Sequence, residues 1–515
     1  MTDAITVLMF LKDYSGHGRD RYFVLRNGEV AEVDVPQLIS SEERIICHDY
    51  WLISPAIHRV AHSLPSDVVD VVEFEFGISG EKVERRVRER SDVRNLLMRV
   101  CDEQVVGRYV DHFYRGEDPG LDVLKEVGVG LSTYWAHLLK RAQQLGELDR
   151  ALSVELPVFN VLALAAVQGI RVNTEKLRSY KVEVDRRYYI ALKRFAEVHG
   201  FPYEVPREDE IVAHLERNGF DLAGVTLDYL LRFVPMQDGF ADHLQELRRA
   251  ESSRSTIGRM SVGAGRVFPI VDSQATVTSR IYYRDPSLQS LRKQYRDVFV
   301  PDKGFEFSYV DYDQFEVGVI AALSGDPRIT KLYSAGDMYV ELARVLFGDE
   351  SMRGKAKRLF LSYAYGMKRS SLLDASVALG ASRGAAKELF SSFERYEQWK
   401  LEVYAEYERA GRIGTSVGNY LNRVDRGALS PKERRSSVSQ VVQGTASLVF
   451  KKAILKTARI QGVLIRIPMH DALLVQHAPG FDVNQLVDAF ATTMTDHFSG
   501  AISGKASIEP FFTPD

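Results

Sequence analysis

The chain has 515 residues, 45% hydrophobic and 27% charged, with 67 Lys and Arg against 70 Asp and Glu and a net charge of −3. This length can bury two or more cores, and the balanced charge excludes a protein that coats nucleic acid by bulk positive charge while leaving room for a local basic groove. Cys47 and Cys101 are the only cysteines, too few for a disulfide framework or a zinc site, and fit a reducing, cytoplasmic setting.

The N-terminal MTDAITVLMFLKDYSG has no basic flank before its short apolar run and is no secretory signal. No apolar run is long enough to span a bilayer, so no membrane association is expected. Residues 1–145 read as a compact α/β unit. Strands are expected at Ile5–Leu11 and Arg21–Arg26, with a turn at Asn27-Gly28, then at Glu43–His48 and Val68–Phe76. Lys82–Gln104 and Gly120–Gln144 read as helical. Residues 146–275 are mostly helical: Leu152–Gln168 ends at Gly169, Thr174–Val198 is long and charged, Phe201–Val225 is irregular, and Leu227–Ser253 is one helix. Arg248, Arg249, Arg254, Arg259 and Arg266 carry positive charge through its end, either solvated or against a nucleic-acid backbone.

From about 276 the pattern changes. Phe305–Val310 alternates as a strand that ends at Asp311, and a helix starts near Val317. Helices follow at Met338–Phe347, Arg353–Tyr365, Ala381–Ala410 (a pair) and Ser436–Gln461. Val463–Ile467 and Ala472–Gln476 are strands meeting at Pro468-Met469-His470-Asp471. Two features here point to chemistry. Arg353, Lys357, Leu361 and Tyr365 repeat every fourth residue, so on a helix they form one slowly turning stripe about 18 Å long. It runs from two cations through an apolar residue to an aromatic, the order of a nucleoside triphosphate; the plainer reading is a solvated basic face. Asp311 and Asp471 each close an apolar strand. Singly they read as turn or cap residues; meeting at one sheet edge they would suit Mg²⁺, which takes one or two carboxylates plus substrate phosphates. No P-loop, HExxH or Cys/His cluster is present, so phosphates would have to be placed by side chains.

These stretches resemble DNA polymerase family A, the bacterial polymerase I class. DYDQFEVGVIAALSGDP (Asp311–Pro327) is similar to its motif A, the helix Arg353–Gly366 to motif B, and MHDALLV (Met469–Val475) to motif C. Glu155–Leu177, Thr276–Leu291 and Gln443–Leu455 match further segments in the same order, so the resemblance covers roughly 150–480. It implies an α/β (α+β) right-hand fold preceded by a ribonuclease H-like 3′–5′ exonuclease-type domain. The expected divisions are 1–145 exonuclease-like, 146–275 thumb, 276–345 and 441–515 palm, and 346–440 fingers.

The resemblance implies template-directed addition of deoxynucleotides to a primer 3′ end by two-metal phosphoryl transfer, with two Mg²⁺ ions (Mn²⁺ as substitute). Asp311 and Asp471 would hold metal, with the Tyr312 backbone carbonyl. Arg353 and Lys357 would bind triphosphate; Gln314, Glu316, Tyr339, Leu361 and Tyr365 would complete the nucleotide site, with Glu316 excluding a ribose 2′-hydroxyl. Arg280, Gln289, Arg435, Gln443 and His470 would contact primer–template DNA, where the minor groove allows geometry to be checked without reading sequence. The compact length suggests a phage-type replicative enzyme without a 5′-nuclease domain, monomeric, in the host cytoplasm, with helicase or other replisome partners. Repair or translesion synthesis and an inactive DNA-binding scaffold are the alternatives; Glu316 argues against a single-subunit RNA polymerase.

Several positions depart from the family's pattern. Leu361 stands for Phe or Tyr, Tyr339 for His, Ala472 for Glu, Gly318 for Arg and Ser439 for Asn, while Asp313 replaces a Ser and could offset the charge missing at Ala472. The N-terminal unit departs further. An exonuclease needs about four carboxylates, yet its first motif retains only Asp13, the second places Leu52 four residues after His48, and the third places Leu138 four after Tyr134. The unit therefore reads as degenerate and structural, with a site from Asp49, Asp67 or Asp70 as the minority reading.

Overall fold

The computed structural model describes residues 5–514 apart from 80–92, 221, 223–225, 235 and 264. The N-terminal unit is built on a five-stranded sheet of β1 (Ile5–Leu11), β2 (Arg21–Arg26), β3 (Glu29–Val33), β4 (Arg44–Cys47) and β5 (Val68–Asp70), ordered β3-β2-β1-β4-β5. β1, β2 and β3 form an antiparallel meander, while β4 and β5 run parallel to β1. The β2–β3 turn has positive φ at both Asn27 and Gly28 (50° and 82°), as a type I′ hairpin requires. β1 is apolar apart from Thr6 because both faces are covered. Val7, Met9 and Leu11 pack in one core with Gly120–Leu145, and Leu8 and Phe10 pack in another with Tyr50–Ala61.

Three expectations are corrected. Val68–Phe76 is not one strand: the chain leaves the sheet at Asp70, whose carboxylate caps the helix Val71–Ile78 by accepting from the amides of Val72 (2.9 Å) and Glu73 (3.3 Å). Phe201–Val225 contains a helix, Glu208–Arg217, and Leu227–Ser253 is broken into Leu227–Phe233 and Phe240–Gly258 around Asp238 and Gly239, both at positive φ. Lys82–Gln104 falls partly outside the described residues; its remainder is helical at Val93–Leu97 and from Glu103.

The second sheet has four antiparallel strands, β6 (Glu306–Tyr312), β7 (Leu464–Met469), β8 (Ala472–His477) and β9 (Ala506–Ile508), ordered β7-β8-β6-β9. Alternation along β6 decides what each face does. Val310 and Tyr312 enter a large core with the helices Phe315–Ser324, Pro431–Ala458 and Asn484–His497. Tyr309 packs on the other face with Met469, Ala472 and Leu474. By the same alternation Asp311 belongs to that second face, directly across from Ala472.

A buried ionic cluster joins the two sheet domains. Arg150 pairs with Glu147 (2.8 Å) and Glu155 and donates to the Gly77 carbonyl (2.6 Å). Glu155 in turn pairs with Lys451 and accepts from the Ser279 hydroxyl (2.9 Å). Arg150 and Glu155 lie in the helical run Leu148–Gln168, 21 residues that include an 18-residue window of mean hydropathy 1.6, long and apolar enough to cross a membrane by length and composition. That corrects the expectation that no such run exists; the helix Leu156–Gln168 packs instead against β7 and the helices Tyr50–Ala61 and Pro431–Ala458.

Candidate active site

Asp311 lies one residue from the end of β6, and Asp471 sits in the turn between β7 and β8, after His470 at φ 59°. The backbone carries them to one sheet edge, where both line an open cleft of about 700 Å³. Burial pushes the Asp311 carboxyl up to about 7, helped by the charges of Asp471 and then Glu509. Burial also raises Asp471, with Glu316 adding to the shift and His470 and Lys357 opposing it. Oδ1 of Asp311 is buried with no hydrogen-bond partner. Two desolvated carboxyls, one with an unsatisfied oxygen, make a hard oxygen donor set that a divalent cation fits. Among the described residues no three His, Cys, Asp or Glu side chains form a ready cage, so further ligands would come from backbone, water or substrate.

The opposite wall is the helix Arg353–Ala364. Ala356, Leu359, Phe360, Tyr363 and Ala364 bury one face in the large core, leaving Arg353, Lys357 and Leu361 to line the cleft. Three of the four stripe residues are thus open to the cleft, with both cations among them, while Tyr365 follows the helix end and does not line it. They also share a support: Tyr339, buried at 3% exposure, lies with its ring 5.5 Å from the Arg353 guanidinium and 5.5 Å from the Lys357 ammonium. Arg353 Nε donates to Asp337 (2.7 Å), whose other oxygen caps the helix Met338–Phe347 by accepting from the Tyr339 amide (2.8 Å). Asp337 escaped the sequence reading, although an Asp just before an apolar helical run is a legible cap signal.

The other expected residues divide into those that reach the cleft and those held elsewhere. Glu316 stands in the first turn of Phe315–Ser324 and accepts from Arg280 (2.9 Å), so each occupies the other. Gln314, at φ 53°, clasps the start of the next helix by donating to the Gly336 carbonyl (2.8 Å) and accepting from the Met338 amide (2.7 Å). The Tyr312 hydroxyl donates to the Phe490 carbonyl (3.0 Å) and its ring stacks on Phe315. The Tyr365 hydroxyl is buried without a hydrogen bond, and burial followed by the Glu316 charge raises its pKa. Arg435 is exposed beside Gly366, and Gln443 is half-buried. Gln289 is committed locally: its amide clasps both backbone groups of Tyr283 (2.9 and 3.2 Å).

The departures acquire physical reasons. A Cβ at Gly318 would come within 2.5 Å of Met494 and 2.9 Å of Tyr333, so a side chain there would require the Met494 methyl and the Tyr333 ring to shift. Asp313, expected to offset the charge missing at Ala472, accepts from the Ser507 hydroxyl (2.7 Å), and its effect on Asp311 is smaller than that of Glu509.

The four candidate acids of the N-terminal unit, Asp13, Asp49, Asp67 and Asp70, are engaged by protein groups. Asp13 accepts from the amides of Ser15 (3.0 Å) and Gly18 (2.9 Å). Asp49 contacts His48 Nδ1 (3.0 Å) and accepts from Trp51 Nε1 (3.0 Å), Asp67 pairs with Arg44 (2.9 Å), and Asp70 accepts from the Tyr50 amide (2.8 Å) besides its cap. Leu138 is buried in the core, and the Tyr134 hydroxyl accepts from Arg99 (2.8 Å).

The sequence model of DNA polymerase family A matches residues 225–507. Among curated proteins, thermostable DNA polymerase I of Thermus aquaticus is 25% identical over 362 residues, covering 63% of this chain and 43% of that protein. DNA polymerase I of Chloroflexus aurantiacus is 24% identical over 393 residues, covering 67% and 41%. The chain thus spans less than half the length of these relatives. Among solved structures, the POL domain of Pol1 from M. smegmatis, in complex with DNA primer-template and dNTP, superimposes with a TM-score of 0.74 at 17% identity, covering 98% of this chain and 95% of that one.

Proposed function

The chain belongs to DNA polymerase family A, and on that premise we propose that it is a DNA-directed DNA polymerase whose active site is the cleft between Asp311, Asp471 and the Arg353 helix. The observation that carries this reading is the opposition of two desolvated carboxyls at one sheet edge, one of them with an unsatisfied oxygen, and two exposed cations across one cleft. In the reaction a primer 3′-oxygen bonds to the α-phosphorus of a deoxynucleoside triphosphate, the bond to the β-phosphate bridging oxygen breaks, and pyrophosphate leaves. Asp311 and Asp471 would hold divalent cations, Mg²⁺ with Mn²⁺ as substitute, which supply Lewis-acid stabilisation of phosphate charge when bound. Arg353 and Lys357 bind the β- and γ-phosphates through charge-assisted hydrogen bonds, Tyr339 holds the two cations apart from below, and Leu361 packs on the sugar. Glu316, fixed by Arg280, crowds the 2′ position and selects deoxyribose.

In this reading the four-stranded sheet is the palm, the helical stretch through 440 the fingers, and 146–275 the thumb. The N-terminal unit is read as a degenerate exonuclease-like domain whose candidate carboxylates are taken up in structural bonds, so it would position DNA or brace the palm without cutting. Primer extension on a DNA template with deoxy- and ribonucleotides tests the proposal. Deoxynucleotide addition that depends on divalent cation and disappears in Asp471→Ala is expected; addition unaffected by that change, or a preference for ribonucleotides, overturns it.

A further inference from the structure

Glu509 lies two residues beyond the family match, in a segment the motifs do not reach. Its amide donates to the Tyr309 carbonyl (2.8 Å), extending the pairing in which Asp311 faces Ser507 and Val310 faces Ile508. Side chains alternate along paired strands, so Glu509, opposite Tyr309, shares a face with both Tyr309 and Asp311. Phe511, two residues on, confirms the phase: it packs against Phe307 and Tyr309 on that same face. Glu509 and Asp311 are thus diagonal neighbours, a separation of roughly 7–8 Å between backbones that a Glu side chain can span. Both line the cleft.

Three further observations set Glu509 apart from other surface acids. Its carboxylate makes no hydrogen bond or ion pair among the described residues. The nearby Asp313, by contrast, has its carboxylate held by the Ser507 hydroxyl (2.7 Å). Lys505, which also lines the cleft, is turned to the carbonyls of Tyr333, Ser334 (3.4 Å) and Gly336 (3.5 Å) and so does not neutralise it. The position directly across from Asp311 on β8 is Ala472, which offers no oxygen.

We propose that Glu509 is a positioning carboxylate of the metal site, supplied by the C-terminal strand β9, which holds a water on the divalent cation shared by Asp311 and Asp471. The inference rests on the reading of those two aspartates as metal-holding. An unpaired carboxylate facing two others is unfavourable without a cation and favourable with one.

The test is direct Mn²⁺ binding to the full chain without nucleotide or DNA, read from the electron paramagnetic resonance signal of free Mn²⁺. Wild type, Glu509→Gln, Glu509→Asp, Asp313→Asn and Asp471→Asn are compared, with circular dichroism melts to confirm folding. Glu509→Gln is expected to weaken Mn²⁺ binding on the order of tenfold, as loss of an outer partner does. Glu509→Asp should recover part of that loss, and Asp313→Asn should cost less than Glu509→Gln. Equal losses in Asp313→Asn and Glu509→Gln would reduce the effect to general charge and overturn the assignment. Unchanged binding in Glu509→Gln beside lost binding in Asp471→Asn would overturn it while leaving the aspartate site standing. Unchanged binding in Asp471→Asn would overturn the underlying site as well. Should Glu509→Gln melt early, the Glu509→Asp comparison decides alone: affinity identical to wild type with the arm shortened contradicts a role at the metal.

Discussion

Two sheets in this chain bring carboxylates to strand ends, and they use them oppositely. In the N-terminal sheet every candidate acid is satisfied by the protein: Asp13 by backbone amides, Asp49 by His48 and Trp51, Asp67 by Arg44, Asp70 by a helix start. In the four-stranded sheet Asp311 keeps a buried oxygen with no partner and a carboxyl pushed up to about 7. A carboxylate whose lone pairs are filled by amides has nothing left for a cation. One that is desolvated and unfilled is held at a cost of folding stability, and such cost concentrates at functional sites. The number of acids therefore says less about a site than whether their hydrogen-bonding capacity is already used.

The largest expected effect breaks the comparison on the side of the four-stranded sheet. Asp311→Asn should lower the primer-extension rate about a thousandfold or more, since metal charge stabilisation is worth several kcal/mol and each 1.4 kcal/mol is tenfold; steady-state rates on a fixed primer–template check it, and a loss under tenfold would refute the assigned role. Next, Arg353→Ala and Lys357→Ala should each raise the deoxynucleotide KM roughly ten- to a hundredfold, from the 1.5–3 kcal/mol of a hydrogen bond to a charged group. An unchanged KM in both would mean the stripe is the solvated face it first resembled.

A smaller effect concerns stability. Folding raises the Asp311 pKa from 3.8 to about 7, so the native state binds the extra proton between these values. Its stabilising contribution is full below about pH 3.8 and is lost as pH rises through about 7. Without divalent cation, Asp311→Asn should therefore melt higher than wild type at pH 8 and by a clearly smaller margin at pH 5; thermal melts in chelator that show the reverse order would contradict the strain assigned to this carboxyl. The smallest effect is at Leu361, where Leu361→Tyr should change the use of 2′,3′-dideoxynucleotides relative to deoxynucleotides. Equal discrimination by both proteins in competition assays would show that the aromatic edge is irrelevant here.

Much of this was legible in the residues because local rules and tertiary packing agree. Period-two alternation gave β6 and the β7–β8 pair, and fourfold spacing gave the Arg353 helix with its open face. The strand at Val68–Phe76 failed because β-branched and aromatic residues continued past Asp70, where a side-chain cap took over the backbone amides. The Arg150–Glu155–Lys451 cluster was invisible because its members are up to about 300 residues apart and each alone reads as a surface charge. Asp337 had a local signal, a cap before an apolar run, but its pairing with Arg353 depends on how two helices cross. Glu509 had none: its meaning comes only from β9 lying beside β6.

The measurement that bears most directly on the contrast between the two sheets uses one labelled primer–template with either a matched or a mismatched 3′ end. It is incubated with Mg²⁺, with and without deoxynucleotides, and with wild type, Asp471→Ala or Asp49→Asn. Wild type and Asp49→Asn should extend the matched primer and leave the mismatched end unshortened, while Asp471→Ala should neither extend nor shorten either primer. Shortening of the mismatched end by wild type that Asp49→Asn abolishes would contradict the account, because carboxylates bonded to the protein would then be doing chemistry after all.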